Sequence, residues 1–516
     1  MFPIQNIVTH DDVLILTIGS GLCGLLLAFI LARLGVWILI VKRYPTILDA
    51  PKAHALSPRS LELCRQFGLD TLTVNFISSL SGKLVDRLPN ERTDARVLND
   101  TSMMIYNIPQ PEFEDLITRE LSNSAVRRLL GIESEGEDSC EFRPNQESRS
   151  SRESLTIYLH ESMMAIHINA DISPVIKERV GMLYWAIDPE VSGFIIGYDL
   201  SRNQVLICNF DSIKRPVELW NETLCHKVVN AAIGTNIPYD VLSYRPWILN
   251  RKVAKSYRVN RVFLAGGAAH SFPPTRGLGL NNGLGDVHNL ASKLAAVLHG
   301  LGGDSLLDSY EFGRRHMAVV NSQQSVTNWK QIFGLLKAFG TTDLNVDIAR
   351  RSLYRNIEDP HARKEINQGI ESQLEYSDHL DLHIGYTYGV HRVPENASIY
   401  RPEIALPPID SSYMAELSSE EVELKRCSTR DLCTFDVFTL IEMRECSDFD
   451  LQLRRNSKDW VQLIKLYNGN SILVRPDQHI LECLKFPAGH SGLLKVLREH
   501  LTWDTVAPDW GKVDSV

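Results

Sequence analysis

Residues 13–43 read VLILTIGSGLCGLLLAFILARLGVWILIVKR, and the spacing of their glycines decides how the chain begins to fold. Residues 13–18, apolar but for Thr17, suit a buried strand. Gly19-x-Gly21-x-x-Gly24 then opens a helix over about 22–34, Gly35 ends it, and a second apolar strand follows at 36–41. The three glycines of the turn serve different ends. Gly19 allows a tight turn, and Gly21 lets the backbone approach a pyrophosphate. Gly24 lets the helix lie close to the strand, while the helix start offers N–H groups and positive potential. A GxGxxG alone is weak evidence; flanked by two strands at this distance it predicts a dinucleotide-binding βαβ unit. The run is also long and apolar enough to raise a membrane span, but the glycine spacing and Arg33 favour the soluble unit.

Such a unit normally closes on an acid that takes the adenosine ribose hydroxyls. Here that place, 18 residues after Gly24, is Lys42. An ammonium only donates, so Lys42 is either an exposed lysine at a strand end or a phosphate contact.

At 516 residues, two or three domains are expected. A hydrophobic content of 44% with 23% charged residues is ordinary for a globular chain. The net charge of -9 and the lack of a basic tract with aromatics argue against nucleic acid and for a small-molecule partner. Nine scattered cysteines, without CxxC or paired Cys/His spacing, predict reduced thiols, no metal site and a cytoplasmic protein. Met1–Asp12 has no basic n-region of a signal peptide, and peripheral membrane contact stays open.

Three further stretches follow in order: PKAHALSPRSLELCRQFGL (51–69), IPQPEFEDLITREL (108–121) and RVFLAGGAAHSFPPTRGLGLNNGLGDVHNLASKLA (261–295). With the N-terminal unit, this order resembles the group A FAD-dependent aromatic hydroxylases, in particular their phenol 2-monooxygenase and dichlorophenol hydroxylase-like branch. The most specific piece is Pro273-Pro274-Thr275-x-Gly277-x-Gly279-Leu280-Asn281. The resemblance implies an α/β fold: a Rossmann-like FAD-binding domain of the para-hydroxybenzoate hydroxylase type, an antiparallel-sheet substrate domain and a thioredoxin-like C-terminal domain. The boundaries expected are 1–154 and 251–375 for the FAD-binding domain and helices, 155–250 for the substrate sheet, 376–425 for a connector and 426–516 for the C-terminal domain. The last has no CxxC, so scaffolding or homodimer contact is its expected role.

The same resemblance implies an FAD reduced by NAD(P)H that takes up O2 and, as a C4a-hydroperoxide, hydroxylates a phenolic or polyketide-derived aromatic molecule in secondary metabolism. Gly19, Gly21 and Gly24 would take the pyrophosphate. Lys52 stands where an arginine usually meets the flavin, and Gln110 matches a glutamine that contacts the cofactor. Gly266 and Gly267 lie at the ribityl chain, and Pro274, Gly277, Gly279, Leu280 and Asn281 line the isoalloxazine. His54 is the candidate base for phenol deprotonation, with Tyr244 a second catalytic candidate. Tyr184, Trp185, Tyr198 and Trp247 are candidates for the substrate pocket, and His270 for a structural hydrogen bond.

Three departures qualify this. Lys42 replaces an acid. Gly267 stands where the pattern G-D-A-A-H places the aspartate for a ribityl hydroxyl, while Asp286 is expected at a helix start. Finally, the helix over 111–121 runs directly into NSAVRRLLGIESEGE (123–137), read as the end of a later turn and its helix, without the preceding strands and Asp-Gly pair. Residues 137–154, polar and rich in Ser and Arg, read as a disordered insertion. Taken together, the departures motivate a rival expectation: a flavin-free pseudo-enzyme, binding protein or cyclase relative.

Overall fold

The computed structural model describes residues 15–42, 55–65, 75–77, 84–86, 106–123, 130–134, 154–177, 179, 181, 183–208, 215–273, 277–371, 426–428, 439–442, 470–474, 480–485 and 495–497. Its first unit follows from the glycines. Strand β1 (Ile15–Ile18) ends at Gly19, which turns at φ +112°, and helix α1 (Leu22–Arg33) starts directly after Gly21. A Cβ at Gly24 would lie 1.9 Å from the Gly19 carbonyl oxygen, so only glycine fits. Gly35, at φ +73°, turns the chain into β2 (Ile38–Lys42), parallel to β1. The apolar run is therefore strand, 12-residue helix and strand. No helix among the described residues is long and apolar enough to cross a membrane.

Strand β3 (Ala55–Leu56) pairs with β6 (Tyr106–Asn107), and α2 (Pro58–Arg65) follows β3. Helix α3 (Gln110–Asn123) buries Phe113, Ile117 and Leu121 in the core around α1. The next described element corrects the sequence reading: Leu130–Ser134 is a strand, β7, parallel to β2, and not part of a helix. The open parallel edge of β2 offers unpaired backbone groups, which outweigh the helix propensity of so short a stretch.

The second unit is an eight-stranded sheet in the order β15-β12-β8-β11-β10-β9-β4-β5. Its spine is β8 (Ser154–Ala170) against β12 (Tyr239–Ala254), flanked by β9 (Leu183–Ala186), β10 (Gly193–Asp199) and β11 (Asn203–Cys208), all antiparallel as the alternating sequence predicts. The sheet also draws β4 (Asn75–Ile77), β5 (Leu84–Asp86) and β15 (His270–Ser271) from outside 155–250. A small hairpin of β13 (Arg258–Val259) and β14 (Val262–Phe263) leads to β15.

Helix α4 (Glu222–Ile233), capped by the Asn221 side chain, covers one face of this sheet with Ile166, Ile168, Tyr184 and Leu206. The other face takes the C-terminal half of α6 (Asp308–Phe339), where Trp329, Ile332 and Phe339 meet Met163, Trp185, Phe194 and Ile207. The N-terminal half of α6 places Tyr310, Ala318 and Val319 in the core around α1 and α5 (Leu278–Leu298). One helix thus joins both cores. Helices α7 (Val346–Glu358) and α8 (Pro360–Glu371) brace the sheet side through Leu353, Ile366 and Ile370. In the C-terminal part, β16 (Arg426–Ser428), β17 (Thr439–Glu442), β18 (Asn470–Val474) and β19 (Ile480–Lys485) pair antiparallel in that order. The connector at 376–425 lies outside the described residues, as does all of 137–154 but Ser154.

Helices α1 and α5 also pack closely in the first core. A Cβ at Gly283 would lie 2.7 Å from Cys23 Sγ and 3.1 Å from Gly266 Cα. Gly283→Ala is therefore expected to cost about 1–3 kcal/mol by overpacking. Urea unfolding measures this, and Cys23→Ala in the same chain is expected to recover part of the loss. The Cys23 thiol is pushed up to about 12, first by burial and then by Asp286 and Glu114, so it is inert at neutral pH. Among the described residues, Cys23, Cys208 and Cys225 are free thiols.

Candidate active site

The first wall of the groove is the start of α1. That start has no acid in its first turn and no capping side chain of its own. Its Leu22 N–H is instead accepted by Glu114 Oε1 at 3.1 Å, and the same oxygen accepts from Gln110 Nε2 at 2.6 Å. Glu114 is buried. It fixes which way the Gln110 amide faces and ties α3 to the glycine turn. Sequence reasoning singled out Gln110 but missed Glu114; its signal was the i, i+4 spacing on one helix face. Glu114→Ala strands a backbone N–H and an amide, so a loss of about 1–3 kcal/mol is expected, measured by urea unfolding of the ligand-free protein.

The second wall is the turn after β14. Gly266 takes φ +54° with Cys23 Sγ 2.6 Å from where its Cβ would be, so it is confined to glycine. Gly267 is different: it is exposed, and a Cβ there meets nothing within 4 Å. Behind the turn, Asp286 corrects another expectation. Helix α5 begins at Leu278 off a left-handed Gly277 and needs no acidic cap, so Asp286 lies a further two turns along it, fully buried. Its Oδ2 accepts from Gly266 N at 3.1 Å and lies 3.0 Å from His270 Nε2, and its Oδ1 accepts from Arg314 Nε at 2.8 Å. Asn282 Nδ2 lies 2.8 Å from His270 Nε2, and the His270 ring stacks on Phe272 at 4.7 Å. Burial alone would raise the Asp286 carboxyl, but Arg314 and His270 outweigh it and hold it below the usual carboxylate range. With these partners it braces the turn and does not replace the missing groove acid.

The third wall is the start of α5. It too lacks a capping side chain and a first-turn acid, so its leading N–H groups face outward unneutralised. The starts of α4 and α7 carry asparagine caps, and α6, uncapped, has Asp308 and Glu311 in its first turn. Asn281 spends its side chain on structure: Nδ2 donates to the Ala55 and Gly277 carbonyls, each at 2.9 Å, and Oδ1 accepts from Ser57 N at 2.8 Å. It fastens the loop to the strand after residue 54. Gly279 sits against Phe272, and Leu280 packs on the first core. Lys52, His54 and Pro274 lie outside the described residues, and for Lys42 only the backbone is described.

The aromatic candidates divide between the two faces of the sheet. Trp185, Tyr198 and Trp247 belong to the side covered by α6, where Trp185 stands 5.1 Å from Phe194 and burial pushes the Tyr198 phenol up. Tyr184, one residue from Trp185, points into the α4 side, and its hydroxyl accepts from Gly181 N. Tyr244 stands opposite Ile166, whose side chain faces α4, and is 40% exposed. Strand alternation therefore brings together Trp185, Tyr198 and Trp247, and separates Tyr184 and Tyr244 from them.

These walls fit FAD in their backbone. The glycine turn leaves a cradle at Gly21, where a Cβ would meet only Glu114 Oε1 at 4.0 Å, and the start of α5 has neither a capping side chain nor a first-turn acid, while at the start of α1 the Leu22 N–H is already held by Glu114. The fit is incomplete in its side chains, because neither Lys42 nor Gly267 supplies a carboxylate.

Fold and site define a flavin-binding α/β protein, and comparison gives the same class. The pattern of the FAD binding domain family matches residues 12–156 and 122–325, and the chain belongs to that family. Within it, the chain is an FAD-dependent monooxygenase of the phenol and dichlorophenol hydroxylase-like kind. It is 26% identical over 599 residues to the 2,4-dichlorophenol 6-monooxygenase of Cupriavidus pinatubonensis, covering 94% of this chain and 96% of that one. It is 28% identical over 373 residues to the tetracenomycin B2 monooxygenase-dioxygenase of Streptomyces olivaceus, covering 61% and 68%. Among solved structures, the flavin-dependent monooxygenase PieE in complex with FAD and substrate superposes with a TM-score of 0.76 at 21% identity, over 95% of this chain and 99% of that one. The tetracenomycin match takes in 61% of 516 residues, about 315, yet runs over 373 positions, so about 58 of its positions face a gap in this chain.

Proposed function

We propose that this protein hydroxylates a phenolic or polyketide-derived aromatic small molecule in secondary metabolism, using FAD, NAD(P)H and O2. The observation that carries the reading is the flavin-facing half of the groove: the uncapped start of α5 after left-handed Gly277, fastened to residues 55–57 by Asn281. FAD, when bound and reduced by NAD(P)H, supplies the activated oxygen.

The chain's own residues do the rest. Gly19, Gly21 and Gly24 admit the pyrophosphate, Gln110 contacts the cofactor from α3, and Lys52 is the cation that meets the flavin. The N–H groups at Gly279 and Leu280 favour electron density on the carbonyl edge of the ring system, with Pro274 stiffening the approach. Trp185, Tyr198 and Trp247 offer an apolar, aromatic surface that excludes water beside a ring substrate. His54, as a neutral imidazole, takes the phenolic proton. The names of the relatives, among them the enzymes of 2,4-dichlorophenol, tetracenomycin B2 and aklavinone, support aromatic substrates from one ring to several.

Titrating the purified protein with FAD tests the reading. A yellow complex whose NADPH consumption rises with a phenolic or polycyclic aromatic compound is expected. A protein that stays colourless at high micromolar FAD overturns it.

A further inference from the structure

The two cores meet along α6, and the seam between them is polar. Ala318 and Val319 of that helix belong to the core around α1, and Trp329 and Ile332 to the core against the sheet. Between them Asn321, Ser322, Gln324, Ser325 and Asn328 are all buried. Residues 321, 325 and 328 share one face of the helix by their spacing of four and seven. Some of these groups hold the fold together. Ser325 Oγ donates to the Pro273 carbonyl at 3.2 Å, which ties the seam to the flavin loop. Asn321 Nδ2 donates to Asn282 Oδ1 at 3.1 Å, and Gln324 Nε2 to Asn328 Oδ1 at 2.9 Å. Other polar atoms here are buried without a hydrogen-bond partner: Asn321 Oδ1, Asn328 Nδ2 and Arg251 Nη2. An orphaned buried polar atom is unfavourable, and one on a charged group more so.

Arg251 shows what the seam receives. It is 2% exposed and stands on β12 directly before Lys252 and Val253, which pair with Ser271 and His270 on the way to Pro273. Its Nε donates to Ser322 Oγ at 2.8 Å, a neutral group. Among the described residues no carboxylate pairs with it. Helix α6 has no acid after Glu311, and β12 has only Asp240 near its far end. Asp286 and Glu311 are already engaged, by Arg314 and by the Tyr257 and Arg258 N–H groups. Burial pulls the Arg251 pKa down, yet a guanidinium stays protonated in a protein. A buried cation lacking its counter-charge is strongly unfavourable, so an anion is the fitting occupant.

We infer that Arg251 receives the carboxylate of an aromatic acid, and that Asn328 Nδ2 receives a second oxygen at the other end of the same molecule. The inference rests on the functional reading above and narrows its substrate class. A planar guanidinium matches a carboxylate in shape as well as charge. Ser322, which holds Arg251, and Asn328 are six residues apart, about 9 Å along a helix, the length of a two-ring aromatic with a substituent at each end. Trp247, four residues before Arg251 on β12, lies on the side covered by α6 and gives such a ring an apolar surface. The phosphates of FAD are a poorer occupant. Their cradle is the turn at Gly19 to Gly24, whereas Arg251 is held by Ser322, one turn of α6 from the Ser325 that bonds Pro273.

Calorimetric titration of the full chain, with and without FAD, tests this with 6-hydroxy-2-naphthoate and its uncharged carboxamide. The acid is expected to bind about 10- to 150-fold tighter than the amide, the range a charged hydrogen bond confers. Arg251→Met is expected to lose that preference while binding the amide as before, and Arg251→Lys to recover part of it. Because the replaced charge has no partner, Arg251→Met is also expected to unfold at higher urea than the parent when no ligand is present. A structural arginine would do the opposite. Equal affinity for acid and amide in the unsubstituted chain overturns the inference, as does a preference that survives in Arg251→Met. An Arg251→Met chain that unfolds at lower urea, or does not fold, overturns it too. If the acid preference depends on Arg251 but the chain stays colourless with FAD, the functional proposal fails while this inference stands. A yellow chain that consumes NADPH with neutral phenols and is indifferent to the carboxylate gives the reverse result.

Discussion

Gly267→Asp is expected to tighten FAD binding by about 10- to 150-fold. A charged hydrogen bond contributes about 1.5–3 kcal/mol, which converts to that range of affinity. The position is prepared to receive the side chain: a Cβ meets nothing within 4 Å, the residue is exposed, and only its neighbour Gly266 needs the left-handed backbone. The carboxylate would enter open space at the surface, so it adds an acceptor without displacing a neighbour. Quenching of FAD fluorescence measures the change. An unchanged dissociation constant would show that no cofactor hydroxyl reaches this turn. Gly266→Asp is the control, since its Cβ would come within 2.6 Å of Cys23 Sγ; loss of folding is expected there.

Arg314→Met should have the largest effect on stability. The guanidinium and the Asp286 carboxylate it holds are both buried, with side chains 2% and 0% exposed. Removing one partner of such a pair leaves an uncompensated buried charge, a loss of about 3–5 kcal/mol. The pH dependence distinguishes this from simple loss of packing. In the native chain the Asp286 pKa is lowered, so its contribution is fully present above the ordinary carboxylate pKa and is lost only as pH falls through the depressed value. Without Arg314, burial dominates and raises that pKa. Protonation in the folded state then relieves the buried charge, so the variant's deficit is expected to be larger at pH 8 than at pH 5. Urea midpoints at the two pH values measure it, and a deficit independent of pH would mean that the charge plays no part. Because Asp286 also holds the Gly266 N–H, FAD affinity should fall with stability.

Much of the first core was legible because its signals are local. Gly19, Gly24 and Gly35 each mark a backbone conformation or close approach that no other residue provides, and the strands and helix follow from where they stand. The alternating hydrophobicity of residues 155–212 likewise suits an antiparallel sheet, which the pairing of β8 through β11 forms. Long-range contacts were not legible. Glu114 reaches Leu22 across 92 positions, and nothing near either residue advertises the other. Asp286 looked like a cap because it follows a glycine-rich stretch, but Gly277 had already started the helix. Residues 130–134 became a strand because the edge of β2 was open, which is a property of the sheet and not of LGIES. Among the aromatic residues, chain proximity misled: Tyr184 and Trp185 are adjacent in sequence, and strand alternation sends them to different cores.

The Asn281 side chain has a consequence for how the molecule assembles. Its bonds to Ala55 and Ser57 span 226 and 224 positions, and the whole eight-stranded sheet is made from the chain between them or close beside it. The two sides of the cofactor groove therefore leave the ribosome far apart in time, and the first must wait, incomplete, until the chain has been made past the start of α5. Closing so long a loop carries a large entropy cost before any contact repays it. The groove cannot close until residue 281 of 516 has been made, and it is in this waiting interval that the nascent chain most needs protection from aggregation.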